Sequence, residues 1–146
     1  MNPDTLHVFH CLLAEYNVHW EERKVLNPSA IIKDDKVYLV YWVQDRTGTS
    51  RIGLAVSKDG LNLEKYPVSV FYPNKDDMQW AEWHYKKGEE MVGGEDYYDG
   101  VEDPRIDEGE DKRYYMTYTA YDIKMARLCI ASIVDLHVWE KHGLVL

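Results

Sequence analysis

The sequence predicts an all-β repeat array of the propeller kind. Three observations lead there. Strand-like segments dominate the chain, two of its hairpins match each other at a fixed spacing, and Tyr and Trp abound where Phe is scarce, with 12 Tyr and 5 Trp against 2 Phe.

The elements follow in order. Residues 37–43 (Val-Tyr-Leu-Val-Tyr-Trp-Val) are rich in β-branched and aromatic side chains, which fit a pleated, half-buried surface. Residues 51–57 follow after a polar turn at 45–49, so the pair reads as a hairpin. Residues 114–121 and 127–133, joined through 122–125, read as a second hairpin. Helix signals are weak and amount to a turn or two over residues 12–20.

The repeat emerges when the hairpins are overlaid. Asn27-Pro28 corresponds to Asp103-Pro104, and at the same spacing Arg51, Ala55 and Asp59 correspond to Arg127, Ala131 and Asp135. Tyr38 and Tyr41 fall on Tyr115 and Tyr118 at a spacing one residue longer, so a residue is inserted in the intervening loop. Each unit reads as x-Pro, apolar strand, acidic turn, Tyr-rich strand, turn, Arg-x-x-x-Ala strand, Asp and a short final strand. A small repeated sheet cannot bury both faces alone and needs neighbours to cover them. The repeats span about 27–70 and 102–146, and a polar, aromatic, Gly-containing linker spans 71–101. A connection of that length is functional or mobile.

Composition narrows the function classes. The chain is 45% hydrophobic and 29% charged, as ordinary globular proteins are. The formal charge is −9 and no Lys/Arg cluster stands out, which argues against nucleic-acid binding. Cys11 and Cys129 make no disulfide framework and read as buried thiols. The N-terminal segment lacks the basic start and apolar core of a signal peptide, and no apolar run is long enough to span a membrane. The expected location is cytoplasmic. His7 and His10 lack the Cys or carboxylate pattern of a metal site, and His84, His137 and His142 are scattered and expected to be exposed.

Chemistry concentrates in Gly100-Val101-Glu102-Asp103-Pro104-Arg105-Ile106. Neighbours in an extended chain point to opposite faces, so Glu102 and Asp103 cannot share a spot without a kink. Pro104 is expected to restrict Asp103 to extended geometry. One carboxyl would serve as proton donor while the other fixes an arginine or a sugar hydroxyl. The alternative is a solvated turn or a structural ion pair.

The same segment, followed by Tyr115-Met116-Thr117-Tyr118-Thr119-Ala120-Tyr121-Asp122, resembles the signature of glycoside hydrolase family 130, the β-mannoside phosphorylases and β-mannosidases. The first unit agrees through Trp20-Glu21, Val25 to Ile31, Tyr38 to Tyr41 and Ser50 to Gly60. Ala131-Ser132, Asp135-Leu136, Trp139-Glu140 and Gly143 resemble the close of a second blade. The resemblance implies a partial five-bladed propeller, of which residues 1–146 are the N-terminal portion of the catalytic domain. It gives Asp103 the role of proton donor, passing its proton to the glycosidic oxygen through a hydroxyl of the bound mannose. Inorganic phosphate then attacks the opposite face with inversion, giving mannose 1-phosphate, or water does so in the hydrolases. No other cofactor is implied. Asn27, Glu102, Arg105, Tyr118 and Asp122 are candidate sugar contacts, Tyr118 being equally suited to the core. Arg51 and Arg127 either place positive charge near the axis, where it would serve phosphate, or make ion pairs between blades.

Two departures matter. Trp42 stands where the family has an arginine that contacts the sugar; Trp stacks on a sugar but cannot form the charged hydrogen bonds. Family members are also about twice as long, as closing a ring of four-stranded blades requires. The residues that hold phosphate come largely from later blades. The chain is then a fragment, a truncation, or a unit that assembles with copies of itself or a second chain. An inactive carbohydrate-binding or assembly module is the competing reading, and a propeller glycosidase acting on arabinans or fructans is a third.

Overall fold

The computed structural model describes residues 20–45, 48–73, 99–122 and 124–145. His7, His10, Cys11, His84, residues 74–98 of the expected linker and, apart from Trp20, the expected helical turns at 12–20 lie outside them. The described residues form strands and no helix: β1 (Lys24–Lys33), β2 (Lys36–Gln44), β3 (Thr49–Ser57), β4 (Glu64–Lys65), β5 (Asp99–Glu108), β6 (Tyr114–Tyr121), β7 (Ala126–Ile133) and β8 (Glu140–Leu144). β1 to β4 form one antiparallel meander and β5 to β8 a second. A short parallel seam joins them, Thr49 opposite Asp99 and Ser50 opposite Gly100. β5 also packs across β1 and β2. The described residues are thus all-β, and their meanders are blades of a β-propeller.

Turn chemistry explains the connections. Asp34 and Asp35, at φ of 50° and 56°, make the two-residue loop between β1 and β2 that favours left-handed residues. Between β5 and β6, the Gly109 amide meets the Arg113 carbonyl at 2.8 Å and encloses one residue more. This is the insertion that lengthens the tyrosine spacing. Asp45 closes the next turn by accepting from the Thr49 amide at 3.0 Å. Asp122 does the same for Lys124 and Met125 at 3.0 and 2.8 Å. Asp59 and Asp135 then terminate β3 and β7, accepting from Leu61 and Asn62 and from His137 and Val138.

The repeats begin earlier than the x-Pro pairs that mark them. β1 starts at Lys24 and β5 at Asp99, so each proline lies inside a strand. Both prolines sit at register shifts, the Leu26/Ser29 and Glu102/Arg105 bulges, where a missing amide donor costs the ladder nothing. The ends of the segment read as a linker are also built into the fold. Phe71 pairs with Ile52 and is buried, its ring edge-on to Tyr118 at 4.7 Å and to Trp139 at 5.9 Å.

Strand alternation divides the core. Val40, Ile52 and Leu54 face the second blade and pack with Val101, Ile106, Met116, Tyr118 and Ala120. Leu39, Tyr41, Val43 and Ala55 face the other way, with Trp20, Val25 and Leu63 against them. Cys129 is a buried thiol, as expected. His137 and His142 are exposed. On the far face of the second blade, Leu128 takes the repeat position of Ile52 but is 46% exposed, where Ile52 is 0%.

The seam depends on Gly100. It adopts φ of 112°, and a Cβ there would lie 2.4 Å from the Ser50 carbonyl oxygen. Gly60, at φ of 75°, has nothing within 4 Å of the same added atom. Gly100→Ala should therefore destabilise the chain by roughly 3 kcal/mol, and Gly60→Ala by about 1 kcal/mol. Urea unfolding midpoints, compared at a common m-value, measure the difference.

Candidate functional site

The site is built from the two bulges. Asn27 and Asp103 both adopt left-handed backbone, at φ of 45° and 50°. The extended geometry expected of Asp103 ahead of Pro104 is therefore corrected. The bulge requires a residue that tolerates positive φ, and short polar Asn and Asp do so better than other residues with a Cβ. Each bulge interrupts the pleat and turns its side chain towards the other. Asn27 Nδ2 donates to Asp103 Oδ1 at 2.5 Å, joining equivalent positions 76 residues apart. A second link runs beside it, from the Ile106 amide to Ser29 Oγ at 3.2 Å. Asn27 is exposed and Asp103 half-buried, so this carboxyl–amide pair remains open to a ligand.

Glu102 goes the other way. The adjacent carboxylates do not share a spot, and Glu102 enters the blade junction, where it is 5% exposed. Ser50 Oγ donates to Glu102 Oε1 at 3.0 Å, and Gln44 Nε2 donates to Ser50 Oγ at 3.3 Å. Burial pushes the Glu102 carboxyl up to about 7; Ser50 partly offsets this, while the charges of Asp103 and Asp99 add to it.

The remaining candidates fall in several places. Trp42 is half-buried on β2, register partner of Leu26 and Ile52, and so lies beside the Asn27 bulge. Arg105 donates to the Pro104 carbonyl at 3.0 Å. Tyr118, a candidate pocket residue, belongs to the core between the blades, 1% exposed against Phe71. Arg51 and Arg127 each form an ion pair inside their own hairpin, where pairs between blades were the expected structural alternative: Arg51 with Asp45 at 2.6 Å and Arg127 with Asp122 at 2.8 Å. The reason is local, since the aspartate that gathers the turn amides with one oxygen offers the other to the arginine entering the next strand. Burial opposes ionisation of Asp122, but Arg127 and the turn amides outweigh it and hold its carboxyl below the ordinary value. Among the described residues, no group of three or more His, Cys, Asp or Glu side chains is placed to hold a metal ion.

Sequence reasoning missed Gln44 and Ser50. Their signal is polarity at the end of a hairpin, on the face that alternation gives to Val40 and Ile52. Ser50 has no counterpart in the second repeat, where Ala126 holds its position.

Residues 4–146 match the family model of glycoside hydrolase family 130, described as beta-1,4-mannooligosaccharide phosphorylase. A beta-1,2-mannobiose phosphorylase of Thermoanaerobacter sp. (strain X514) is 29% identical over 87% of this chain and 41% of its own length. A 1,2-beta-oligomannan phosphorylase of the same strain is 30% identical over 92% of this chain and 42% of its own. The chain therefore spans about two fifths of the length of these curated relatives. A structure solved for the family's glycoside hydrolases that target β-1,2-mannosidic linkages in Candida mannan is 34% identical, with a TM-score of 0.70, over 87% of this chain and 33% of that one. More distant likenesses concern the fold alone. A β-fructofuranosidase of Bombyx mori is 20% identical, with a TM-score of 0.59, over 86% of this chain and 24% of its own. An arabinanase of Bacillus subtilis is 17% identical, with a TM-score of 0.57, over 84% of this chain and 38% of its own. Both are five-bladed propellers, which makes the present fold a partial five-bladed propeller.

The buried glutamate sets a pH dependence of stability. Its carboxyl lies near 7 in the folded chain against an ordinary 4.5. Between those values the folded state holds a proton that the unfolded state has lost, so the contribution is full below about 4.5 and lost as pH rises through about 7. The melting temperature should decline across that window, and Glu102→Gln should flatten this part of the decline in calorimetric scans.

Proposed function

This chain belongs to glycoside hydrolase family 130, and from that premise we propose that it cleaves β-mannosides by inverting phosphorolysis, releasing mannose 1-phosphate, with Asp103 as proton donor. The observation that carries the proposal is the half-buried Asp103 carboxyl on its left-handed bulge, bonded to the Asn27 amide of the preceding blade. A proton donor must be held at one place and remain reachable, and this geometry provides both.

Asp103 releases its proton towards the glycosidic oxygen, by way of a mannose hydroxyl, and the leaving sugar departs as a neutral alcohol. A phosphate oxygen bonds to the anomeric carbon from the opposite face as the glycosidic bond breaks. Phosphate is already a competent nucleophile and needs cationic positioning more than a base. Asn27 offers its amide to Asp103 and to sugar hydroxyls. Trp42 offers an aromatic face in place of an arginine's hydrogen bonds. Arg51 and Arg127 act within this reading as staples of their hairpins. The partners are a β-mannoside oligosaccharide and inorganic phosphate, with no further cofactor, and the setting is cytoplasmic. Assembly with copies of the chain would supply blades beyond the two described here.

The second reading is a sugar-binding module that kept the blades and lost turnover, and Trp42 beside the bulge favours it. Asp103→Asn separates the two. The backbone accepts Asn at this φ, so affinity for mannosides should persist while turnover falls by roughly a hundredfold to ten-thousandfold. Release of mannose 1-phosphate, measured with and without phosphate, reports the loss. Release of free mannose independent of phosphate would replace phosphorolysis with hydrolysis, and binding without turnover in the parent would establish the module.

A further inference from the structure

We propose that Glu102 is a positioning residue for Asp103: with Ser50 and Gln44 it forms a buried polar bridge across the blade junction and seats the bulge on which Asp103 stands. The bridge runs from Gln44 Nε2 to Ser50 Oγ at 3.3 Å and from Ser50 Oγ to Glu102 Oε1 at 3.0 Å, and all three residues are buried. It starts at the end of β2, crosses the start of β3 and finishes on β5, so it ties the strand that bears Asp103 to two strands of the preceding blade. The seam at Ser50 and Gly100 holds the backbones together at the same level. A side chain buried to this degree and bonded to Ser50 acts on Asp103 through position.

Donation runs towards Glu102 and by itself favours the carboxylate; burial and the neighbouring charges outweigh it. Gln44 gives its hydrogen to Ser50, and Ser50 gives its own to Glu102. The charged groups that act on Glu102 are Asp103 and Asp99, both on its own strand and both negative. From β3 it meets Ser50, which in turn accepts from Gln44 of β2, and its register partner on β6 is Thr119, none of which ionises. An ionised Glu102 would have a single neutral donor against two like charges in a buried place, whereas the neutral acid fits with no charge to solvate. When Glu102 loses its proton, repulsion from Asp103 loosens the bulge. The seating is a property of the fold, and its bearing on turnover rests on Asp103 being the proton donor.

The side-chain amide of Asn27, which touches Asp103 and not Glu102, is the reporter. Its nitrogen and hydrogen resonances in the full chain are followed by NMR from about pH 5 to about pH 9. The expected result is an inflection near 7 that is absent in Glu102→Gln and displaced to higher pH in Ser50→Ala, because Ser50 holds the Glu102 carboxyl down. A reporter with no inflection near 7, or one whose inflection persists unchanged in Glu102→Gln, would overturn the proposal. If Glu102→Gln does not fold, Ser50→Ala decides: an upward displacement supports the proposal, and an unmoved inflection rejects it. None of these arms requires turnover, so a chain without activity on mannosides leaves the answer readable.

Discussion

The two blades meet where no side chain fits. At the parallel seam the backbone of Gly100 lies so close to Ser50 that even a methyl group would overlap its carbonyl. This approach fixes the depth at which β5 sits beside the first blade. The rest of the site inherits that depth: Glu102 reaches Ser50, Asp103 reaches Asn27, and the Ile106 amide reaches Ser29, all from one strand. A strand set further out would keep every residue of the motif and lose each of these contacts.

The repeat shows how one scaffold yields two chemistries. Both blades carry a bulge, a left-handed residue and a proline at the same place, and both close their turns with an aspartate bound to an arginine. The bulge residue is an amide in the first blade and an acid in the second. Since the backbone requirement is the same at both, the difference lies entirely in what the side chain donates or accepts. The amide thereby becomes the support of the acid, and one asymmetry of functional groups turns a structural repeat into a site.

The parts of this architecture that were legible in the sequence are those fixed by local rules. β6 coincides with the Tyr-rich segment read from its composition, and β2 extends that reading of residues 37–43 by one residue at each end. The common spacing of Asn27/Asp103, Arg51/Arg127 and Asp59/Asp135 revealed the repeat because equivalent turns use equivalent residues. What could not be read depends on which way a kinked strand sends its side chains. Alternation gave opposite faces to Glu102 and Asp103, but it could not say that the inward face belonged to Glu102. The proline rule assigned Asp103 an extended backbone, and the bulge overrode it. Tyr118 suited a pocket and a core equally well by type, and only packing against Phe71 resolves it. The partners of Arg51 and Arg127 were sought across the blades because the repeat drew attention there, while the nearer aspartates of the turns hold them.

The prolines at the bulges also govern how this site ages. Spontaneous deamidation of asparagine, and isomerisation of aspartate, begin when the backbone nitrogen of the next residue attacks the side-chain carbonyl. Pro28 and Pro104 have no N–H to lose, so that ring closure is blocked at both positions. Asn27 therefore does not drift into a second acid facing Asp103, and Asp103 does not shift its backbone into the β-linked isomer. The prolines seated in these bulges thereby close the common route by which the chemical difference between the two groups would be lost.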